Sequence, residues 1–322
     1  MAVLSAFTRV HPRLILFALL LTSCNREHKR VIAVIPKATS HLFFVSVHQG
    51  VRAAERDLKV ETIWNGPDQE TDYSRQIQIT DAMIARKVDA IAISATDRDA
   101  LVAPVRRAIN AGIPVTVFDS GLNIDDYVSF VATDNYGAGQ TAARKISELL
   151  GGKGQIAVIM QRPGGQSTTE REKGFEDAMR NEAPGIRIVA RQFGMGEPAK
   201  SRSAAENILT AHPELDAIFA SAEASSIGAI QAIKARGLSQ KIKLVGFDFS
   251  DAHRGALQEG IMNATLVQDT YQIGYEAVRS LVMKLNNETP PKRIDLPARV
   301  VMKADLNNPE LRSLLSPAIA GR

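Results

Sequence analysis

Short apolar runs alternate with longer amphipathic stretches along the first half of the chain. The apolar runs predict strands at 31–35, 61–64, 90–94 and 114–118, and the stretches between them predict helices at 44–57, 73–86 and 100–110. Strands that are apolar throughout and alternate with helices are typical of a parallel sheet that helices cover on both faces. The first half of the chain is therefore predicted to form an open α/β unit.

A second series of the same kind follows a glycine-rich segment at 151–154. Its predicted strands are 155–160, 186–192, 217–220 and 243–247, and its predicted helices are about 168–181, 201–211 and 225–236. One more helix is predicted at 271–285, and the last ~30 residues read as irregular chain with short strands. The chain is therefore expected to fold into two similar units.

A short repeat links the two units. The segment Asp89–Ala95 recurs as Asp216–Ala222, with five of seven positions identical. In both units a predicted helix comes next, and then a strand that ends in an aspartate, Asp119 or Asp248. Ligands of open α/β sheets bind outside the carboxyl ends of the strands. We expect Asp119 and Asp248 to meet across a cleft between the units.

The N-terminus is typical of a secretory signal. Arg9 and Arg13 precede an apolar run at 14–21, which is too short to cross a hydrocarbon core ~30 Å thick. The following Leu-Thr-Ser-Cys segment ends in Cys24 and resembles a bacterial lipoprotein box. We predict a signal peptide at 1–23, a tether at 24–30, and export to the periplasm or cell surface with a lipid anchor to a membrane on Cys24. The alternative is an ordinary signal peptide with an incidental cysteine.

Composition narrows the class of protein further. The chain has 322 residues with 45% hydrophobic and 23% charged positions, which is globular composition and long enough for two domains of about 100–200 residues. A net charge of +4, no Lys/Arg run and only 5% aromatic residues argue against a nucleic-acid partner. Cys24 is the only cysteine, which excludes an intramolecular disulfide and a cysteine-cluster metal site. No coiled-coil heptads are visible, so a monomer is expected.

Catalytic motifs are missing from the sequence. There is no dinucleotide-binding glycine fingerprint, no Walker A run, no nucleophile elbow, and no His-Glu-x-x-His pattern. We therefore predict no catalytic residues, no metal and no cofactor. The remaining carboxylates, arginine and aromatic rings suit the binding of a neutral polyol, whose hydroxyls donate to carboxylates and accept from a guanidinium.

Several stretches resemble one known family. They are 43–46, 88–91, 112–115, 118–119, 133–135, 170–175, 246–248 and 267–269. Over 31–303 the chain resembles the ribose-type periplasmic substrate-binding proteins of sugar ABC transporters, the type I periplasmic binding protein family. The resemblance implies an α/β fold of two Rossmann-like lobes with parallel sheets and a three-crossover hinge, near 133–136, 266–270 and 296–299. It divides the chain into an N-terminal lobe of 31–133 with 269–297 and a C-terminal lobe and tail of 134–268 with 298–322.

The resemblance also implies a set of ligand-binding residues. Two aromatic rings would enclose the sugar, two carboxylates would accept its hydroxyls, and an arginine and an amide would reach it from the second lobe. The implied residues are His41, Phe43, Phe44, Asp119, Thr133, Arg171, Asp248 and Gln268, with Ser120 and Glu223 ranked lower.

Departures from the family pattern bear on the identity of the ligand. His41 stands where the pattern has asparagine, Ser120 replaces an arginine, Ala222 replaces an asparagine, and Gly196 falls about where a third aromatic ring is expected. These losses predict an enlarged and simplified pocket that is not matched to ribose. By position alone, three charged residues are candidates to fill it: Lys37, Arg162 and Glu223.

The resemblance predicts a lipid-anchored protein that captures a monosaccharide or related polyol by hinge closure and delivers it to ABC permease subunits. The alternative is a sensory protein of the same fold that presents its ligand to a chemoreceptor, a histidine kinase or a quorum-signal pathway. A lactose-repressor-like regulator is disfavoured, because an apolar signal rather than a helix-turn-helix precedes Val31. A glycosidase would need two close carboxylates, which Asp119 and Asp248 could supply, but the resemblance makes them ligand-holding groups.

Overall fold

Two six-stranded sheets form the framework of the computed structural model, which describes residues 29–315. The predicted signal peptide and Cys24 lie outside the described residues. The first sheet contains β1 (Val31–Ile35), β2 (Glu61–Trp64), β3 (Ala90–Ile93), β4 (Val115–Phe118), β5 (Ser129–Thr133) and β11 (Arg293–Leu296). The second contains β6 (Gly154–Met160), β7 (Ile186–Phe193), β8 (Ala217–Ala220), β9 (Lys243–Phe247), β10 (Ala264–Val267) and β12 (Arg299–Val301).

The two sheets share one strand order. It is β11-β5-β4-β3-β1-β2 in the first and β12-β10-β9-β8-β6-β7 in the second. All neighbours are parallel except β12, which pairs antiparallel with β10. The sheets therefore repeat one architecture, as the sequence repeat predicts.

Helices cover both faces of each sheet. They are α1 (Leu42–Asp57), α2 (Tyr73–Ala85), α3 (Val102–Asn110), α4 (Asn135–Leu150), α5 (Gln166–Glu182), α6 (Pro198–Ala211), α7 (Glu223–Ala235), α8 (Asp251–Glu259), α9 (Thr270–Leu285) and α10 (Arg312–Leu315). In β1, Ala33 and Ile35 pack into one apolar cluster while Ile32 and Val34 pack into another on the opposite face. Both faces of a strand are buried in this way when helices lie above and below it.

Three crossovers connect the two lobes. The chain passes from β5 in the first sheet to α4, which packs on α5 of the second lobe. It returns from β10 to α9, which packs on α1, and it passes once more between β11 and β12. The three crossovers lie where the family resemblance implies them, so the expected two-lobed α/β fold with a three-crossover hinge is confirmed.

Reciprocal glycines allow the two main helix pairs to pack closely. A Cβ on Gly50 of α1 would lie 1.9 Å from the Tyr271 carbonyl oxygen, and one on Gly139 of α4 would lie 1.9 Å from the Arg171 carbonyl oxygen. Neither position tolerates a side chain, since real Cβ atoms do not approach so closely. Close helix packing at a glycine therefore joins α1 to α9 in one lobe and α4 to α5 in the other.

Most predicted elements are confirmed to within two or three residues, but β5, α4, α8 and β10 were not predicted. α4 begins with polar residues and carries Gly137 and Gly139, and glycine lowers helix propensity by about 1 kcal/mol. Close packing against α5 explains Gly139 and offsets that cost. None of the helices in 29–315 combines the length and apolar character that a membrane crossing needs.

Candidate functional site

Asp119 and Asp248 occupy equivalent places at the carboxyl ends of β4 and β9. Both residues have left-handed backbones, with φ of 57° and 70°. Each backbone N–H donates to the neighbouring strand, to Val131 and Leu266 respectively, at 2.8 Å. Aspartate tolerates this conformation better than most residues. The sequence repeat thus produces two carboxylates that are both nearly buried at the edges where the lobes meet.

The first aspartate of each repeat, Asp89 or Asp216, has a structural role instead. Asp89 accepts a hydrogen bond from the Val31 backbone N–H at 2.7 Å, and Asp216 accepts one from the Gln155 backbone N–H at 2.7 Å. These bonds tie neighbouring strands together at the far end of each sheet. Asp89 and Asp216 therefore stabilise the sheets, and only the second aspartate of each repeat reaches the cleft.

A narrow polar cleft lies between the lobes. The N-terminal lobe contributes Lys37, His41, Phe43, Phe44, Glu70 and Asp119 to its walls. The C-terminal side contributes Gln161, Ser167, Thr168, Arg171, Ala222, Glu223, Ala224, Asp248 and Gln268. Eight of the ten residues that the sequence singled out for ligand binding line this cleft.

Thr133 and Ser120 do not line the cleft. Thr133 lies at the first crossover, where its hydroxyl donates to Gln268 Oε1 at 2.6 Å. The Ser120 hydroxyl accepts a long hydrogen bond, 3.4 Å, from the Ser167 backbone N–H of the other lobe. Both side chains therefore join the lobes in this closed arrangement.

Lys37 occupies the N-terminal wall of the cleft. Its Nζ lies 3.1 Å from Asp119 Oδ2 and 3.3 Å from Ser167 Oγ across the cleft. Asp119 Oδ2 also accepts a hydrogen bond from Ser94 Oγ at 2.7 Å. Lys37 and Glu223, two of the three charged residues suggested by position alone, line the cleft, and the third, Arg162, is not among its lining residues.

Glu70 is a functional candidate that the sequence reasoning missed. It follows β2 in a loop, yet it is only 7% exposed and lies 3.9 Å from Lys37 Nζ, 3.4 Å from His41 Nδ1 and 3.6 Å from Arg162 Nε. Burial disfavours its ionised form, but Lys37 and the other cations outweigh burial and lower the pKa of Glu70. In turn Glu70 raises the pKa of His41 against the opposing effect of burial. The only sequence signal was its position after a predicted strand.

Arg171 is the largest polar group of the C-terminal wall. Its guanidinium carbon lies 3.4 Å from the centre of the Phe247 ring, and it donates to the Ser221 carbonyl and, at 2.7 Å, to Asn135 Oδ1. Its Nε is buried and has no hydrogen-bond partner within residues 29–315. A buried donor without a partner is costly, so Nε remains available to a further acceptor.

Asp248 and Glu223 form an acidic corner on the same wall. Asp248 accepts from Gln268 Nε2 at 2.6 Å and from the Glu223 backbone N–H at 3.0 Å. In the described part of the chain neither carboxylate has a cation within 4.0 Å. Burial raises the pKa of Asp248, and burial together with the charge of Asp248 raises the pKa of Glu223 to about 7. The carboxylate oxygens of this corner can therefore accept further hydrogen bonds from a ligand.

The aromatic pair lies at the start of α1. Phe44 is 1% exposed and belongs mainly to the core, while Phe43 is partly exposed and meets Phe44 edge-on at 4.9 Å between ring centres. The Phe43 backbone N–H donates to Glu223 Oε2 of the opposite lobe at 3.1 Å. Phe43 is thus the ring that can cover the apolar face of a ligand.

Several bonds hold the two lobes in a closed arrangement. The Arg98 backbone N–H donates to the Gly164 carbonyl at 3.1 Å, in addition to the contacts of Lys37, Glu70 and Phe43 with the opposite lobe. Each of these contacts requires both lobes. A ligand bound between them would therefore link its affinity to closure.

Comparisons with known proteins agree with this architecture. Residues 32–289 match the family described as "Periplasmic binding protein domain". The D-ribose/D-allose-binding protein of Pseudomonas aeruginosa is 31% identical over 310 residues, which cover 89% of this chain and 95% of that protein.

Solved structures are similar over the same span. A carbohydrate transporter solute-binding protein from Agrobacterium radiobacter, in complex with D-arabinose, matches with a TM-score of 0.86 and 32% identity, over 89% of this chain and 99% of that one. An ABC transporter solute-binding protein from Agrobacterium vitis, with bound D-fucose, matches with a TM-score of 0.86 and 34% identity, over 88% of this chain and 99% of that one.

Proposed function

The chain belongs to the periplasmic binding protein family, and on that premise we propose that it captures a monosaccharide or related polyol between its lobes and delivers it to an ABC permease. Members of this kind are exported solute-binding proteins rather than enzymes. We further propose that the mature protein acts as a monomer and is held at a membrane by a lipid on Cys24.

The observation that carries this proposal is the polar cleft between two equivalent strand ends. Asp248 and Glu223 can accept hydroxyl donors, and Arg171 Nε can donate to a ring or hydroxyl oxygen. A hydrogen bond to a charged group contributes about 1.5–3 kcal/mol net, and micromolar binding needs about 8 kcal/mol in all. A few such bonds from both walls are therefore sufficient, and no covalent step is needed.

The proposed ligand class also agrees with the relatives. One is named for D-ribose and D-allose, and two solved structures contain D-arabinose and D-fucose. These sugars share vicinal hydroxyls and differ in ring substituents. The charged wall around Lys37 and Glu70 is a local feature that would select among them.

A thermal-shift screen of the full-length protein against pentoses, hexoses, sugar alcohols and nucleosides tests the proposal. A ligand at 100 times its Kd stabilises the native state by about 2.7 kcal/mol, which raises the melting temperature clearly. Arg171→Ala and Asp248→Ala should remove the shift. Arg191→Ala is the matched control, because Arg191 pairs with Glu176 on the exposed surface of the same lobe.

Turnover of the bound sugar would overturn the proposal, and so would the absence of a shift with every sugar and polyol. Delivery is measured separately as uptake into cells that carry the permease, with and without the Cys24→Ala variant. Binding without a contribution to uptake would support the sensory alternative instead.

A further inference from the structure

A second cavity opens beside the polar cleft. It has a volume of about 270 Å³ and lies between residues 40–42 and 69–71 on one lobe and residues 195–198 and the start of α7 on the other. We call it the outer chamber. It lies between the loops that follow β2 and β7, and these are the edge strands farthest from the crossover strands in each sheet. The outer chamber is therefore at the open side of the cleft, opposite the hinge.

The outer chamber adjoins the polar cleft. Four residues line both spaces: His41 and Glu70 from the N-terminal lobe, and Glu223 and Ala224 from the C-terminal lobe. A ring held between Asp248 and Phe43 could thus project one substituent outward between these four residues. The closed lobes leave room for such a group, because the outer chamber is present in the closed arrangement.

Gly196 borders the outer chamber close to the residues that both spaces share. A Cβ at this position would lie 3.4 Å from Gln161 Nε2 and 4.0 Å from both Glu70 Oε2 and His41 Cε1. Gly196 has φ of 75° and follows Met195, which has φ of 56°. These two left-handed residues turn the chain sharply, so the loop borders the junction with backbone rather than with a large side chain.

The walls of the outer chamber favour an uncharged apolar group. Leu42 is 51% exposed although it is a large apolar residue, and Met195, Pro198 and Ile227 complete an apolar surface around it. No lysine or arginine of the described chain lines this space. Glu223, which has no cation within 4.0 Å in residues 29–315, lines the chamber where it adjoins the polar cleft. An anionic substituent such as a phosphate or carboxylate would therefore be repelled.

We propose that the outer chamber binds a small uncharged apolar substituent on the ring that the polar cleft holds, so that the preferred ligand is a glycoside or ether of a monosaccharide rather than the free sugar. This inference rests on the proposed function, because the ring must first bind in the polar cleft. It assigns a role to Leu42 and Ile227, which contact only the outer chamber.

Calorimetric titration of the full-length protein tests the inference with matched ligand pairs. The probes are D-ribose, D-arabinose, D-allose and D-fucose, each beside its methyl and phenyl glycosides in both anomeric forms. At least one glycoside should bind at least tenfold more tightly than its parent sugar. D-Ribose 5-phosphate should bind no more tightly than D-ribose.

Two variants of α1 separate the outer chamber from the polar cleft. Leu42→Asn should reduce the advantage of the glycoside at least fivefold while the Kd of the parent sugar stays within twofold. Val45→Asn is the matched control, because Val45 is 41% exposed on the same helix but does not line the chamber. It should leave both values unchanged.

The outcomes distinguish the two proposals. Parent sugars that bind more tightly than all of their glycosides would overturn the outer chamber as a substituent site and leave the proposed function intact. Loss of the glycoside advantage in Val45→Asn as well as Leu42→Asn would also overturn it. If neither sugars nor glycosides bind, the proposed function fails and the inference fails with it.

Discussion

The N-terminal and C-terminal walls of the cleft share a backbone design but differ in how their charges are paired. Asp119 and Asp248 both follow a central strand in a left-handed conformation. Asp119 has Lys37 at 3.1 Å, and the nearby Glu70 has further cations. Within the described residues, Asp248 instead has only neutral donors, Gln268 and the Glu223 backbone, within hydrogen-bond distance.

Because of this difference, we expect substitutions in one wall to change mainly the stability of the protein and substitutions in the other to change mainly its affinity for the ligand. The carboxylates of the N-terminal wall already have partners in the closed protein, so a substitution there breaks existing ion pairs. Among residues 29–315 the acidic corner of Asp248 and Glu223 has no cation within 4.0 Å, and burial raises the pKa of each carboxyl. We infer that the N-terminal wall mainly stabilises the closed fold and that the C-terminal wall mainly offers groups to the ligand.

The largest effect is expected for Lys37→Met. Removing one partner of a buried ion pair costs about 3–5 kcal/mol, because the remaining charge is buried without compensation. The free energy of unfolding, measured with urea, should fall by that amount. The double variant Lys37→Met with Asp119→Asn should recover much of the loss, since no buried charge is then left at Asp119. A cost below about 1 kcal/mol for the single variant would refute the stabilising role of this wall.

A pair of equivalent substitutions sharpens the comparison. Asp119→Asn should lower the free energy of unfolding by about 1–3 kcal/mol, because Lys37 loses its nearest partner. Asp248→Asn should lower it by less than Asp119→Asn does, since burial already raises the pKa of the carboxyl that it replaces and no ion pair within 4.0 Å is broken among the described residues. Asparagine tolerates both left-handed backbones, so strain does not separate the two variants. Equal losses in urea unfolding would contradict the proposed difference between the walls.

The smallest effect is a pH dependence at Glu223. Its pKa in the folded protein is about 7, above the ordinary value of 4.5, so the folded state binds the proton more tightly than the unfolded state. Its contribution to stability is full below about pH 4.5 and is lost as the pH rises through 7. The melting temperature of Glu223→Gln minus that of the wild type should therefore increase from pH 5 to pH 8.

The control for that prediction is Glu61→Gln, which alters an exposed glutamate of the other lobe. Melting curves of the three proteins in the same buffers provide the comparison. A difference between Glu223→Gln and the wild type that stays constant across this range would show that Glu223 does not titrate as proposed.

The strand pattern and the repeat were sufficient to predict four strands of each sheet and the two cleft aspartates. The alternation of apolar runs with amphipathic helices is a local property, so β1 to β4 and β6 to β9 could be recognised from neighbouring residues. The equivalence of Asp119 and Asp248 followed from identical residues around them. Thr133 and Ser120 were also near the cleft, but which side of a strand end they face depends on the opposite lobe.

The sequence by itself determined the α/β class, the repeated lobes and the positions of the strand-end carboxylates, because hydrophobic periodicity and turn position encode them locally. Tertiary structure alone decided that Glu70, from a polar loop, is buried among Lys37, His41 and Arg162. It also decided that Glu223 has no cation within 4.0 Å among the described residues and that Gly196 borders the outer chamber. These features arise where distant segments of the two lobes meet. Whether a buried group stays charged there depends on its distances to other charges in space, and spacing along the chain does not specify those distances.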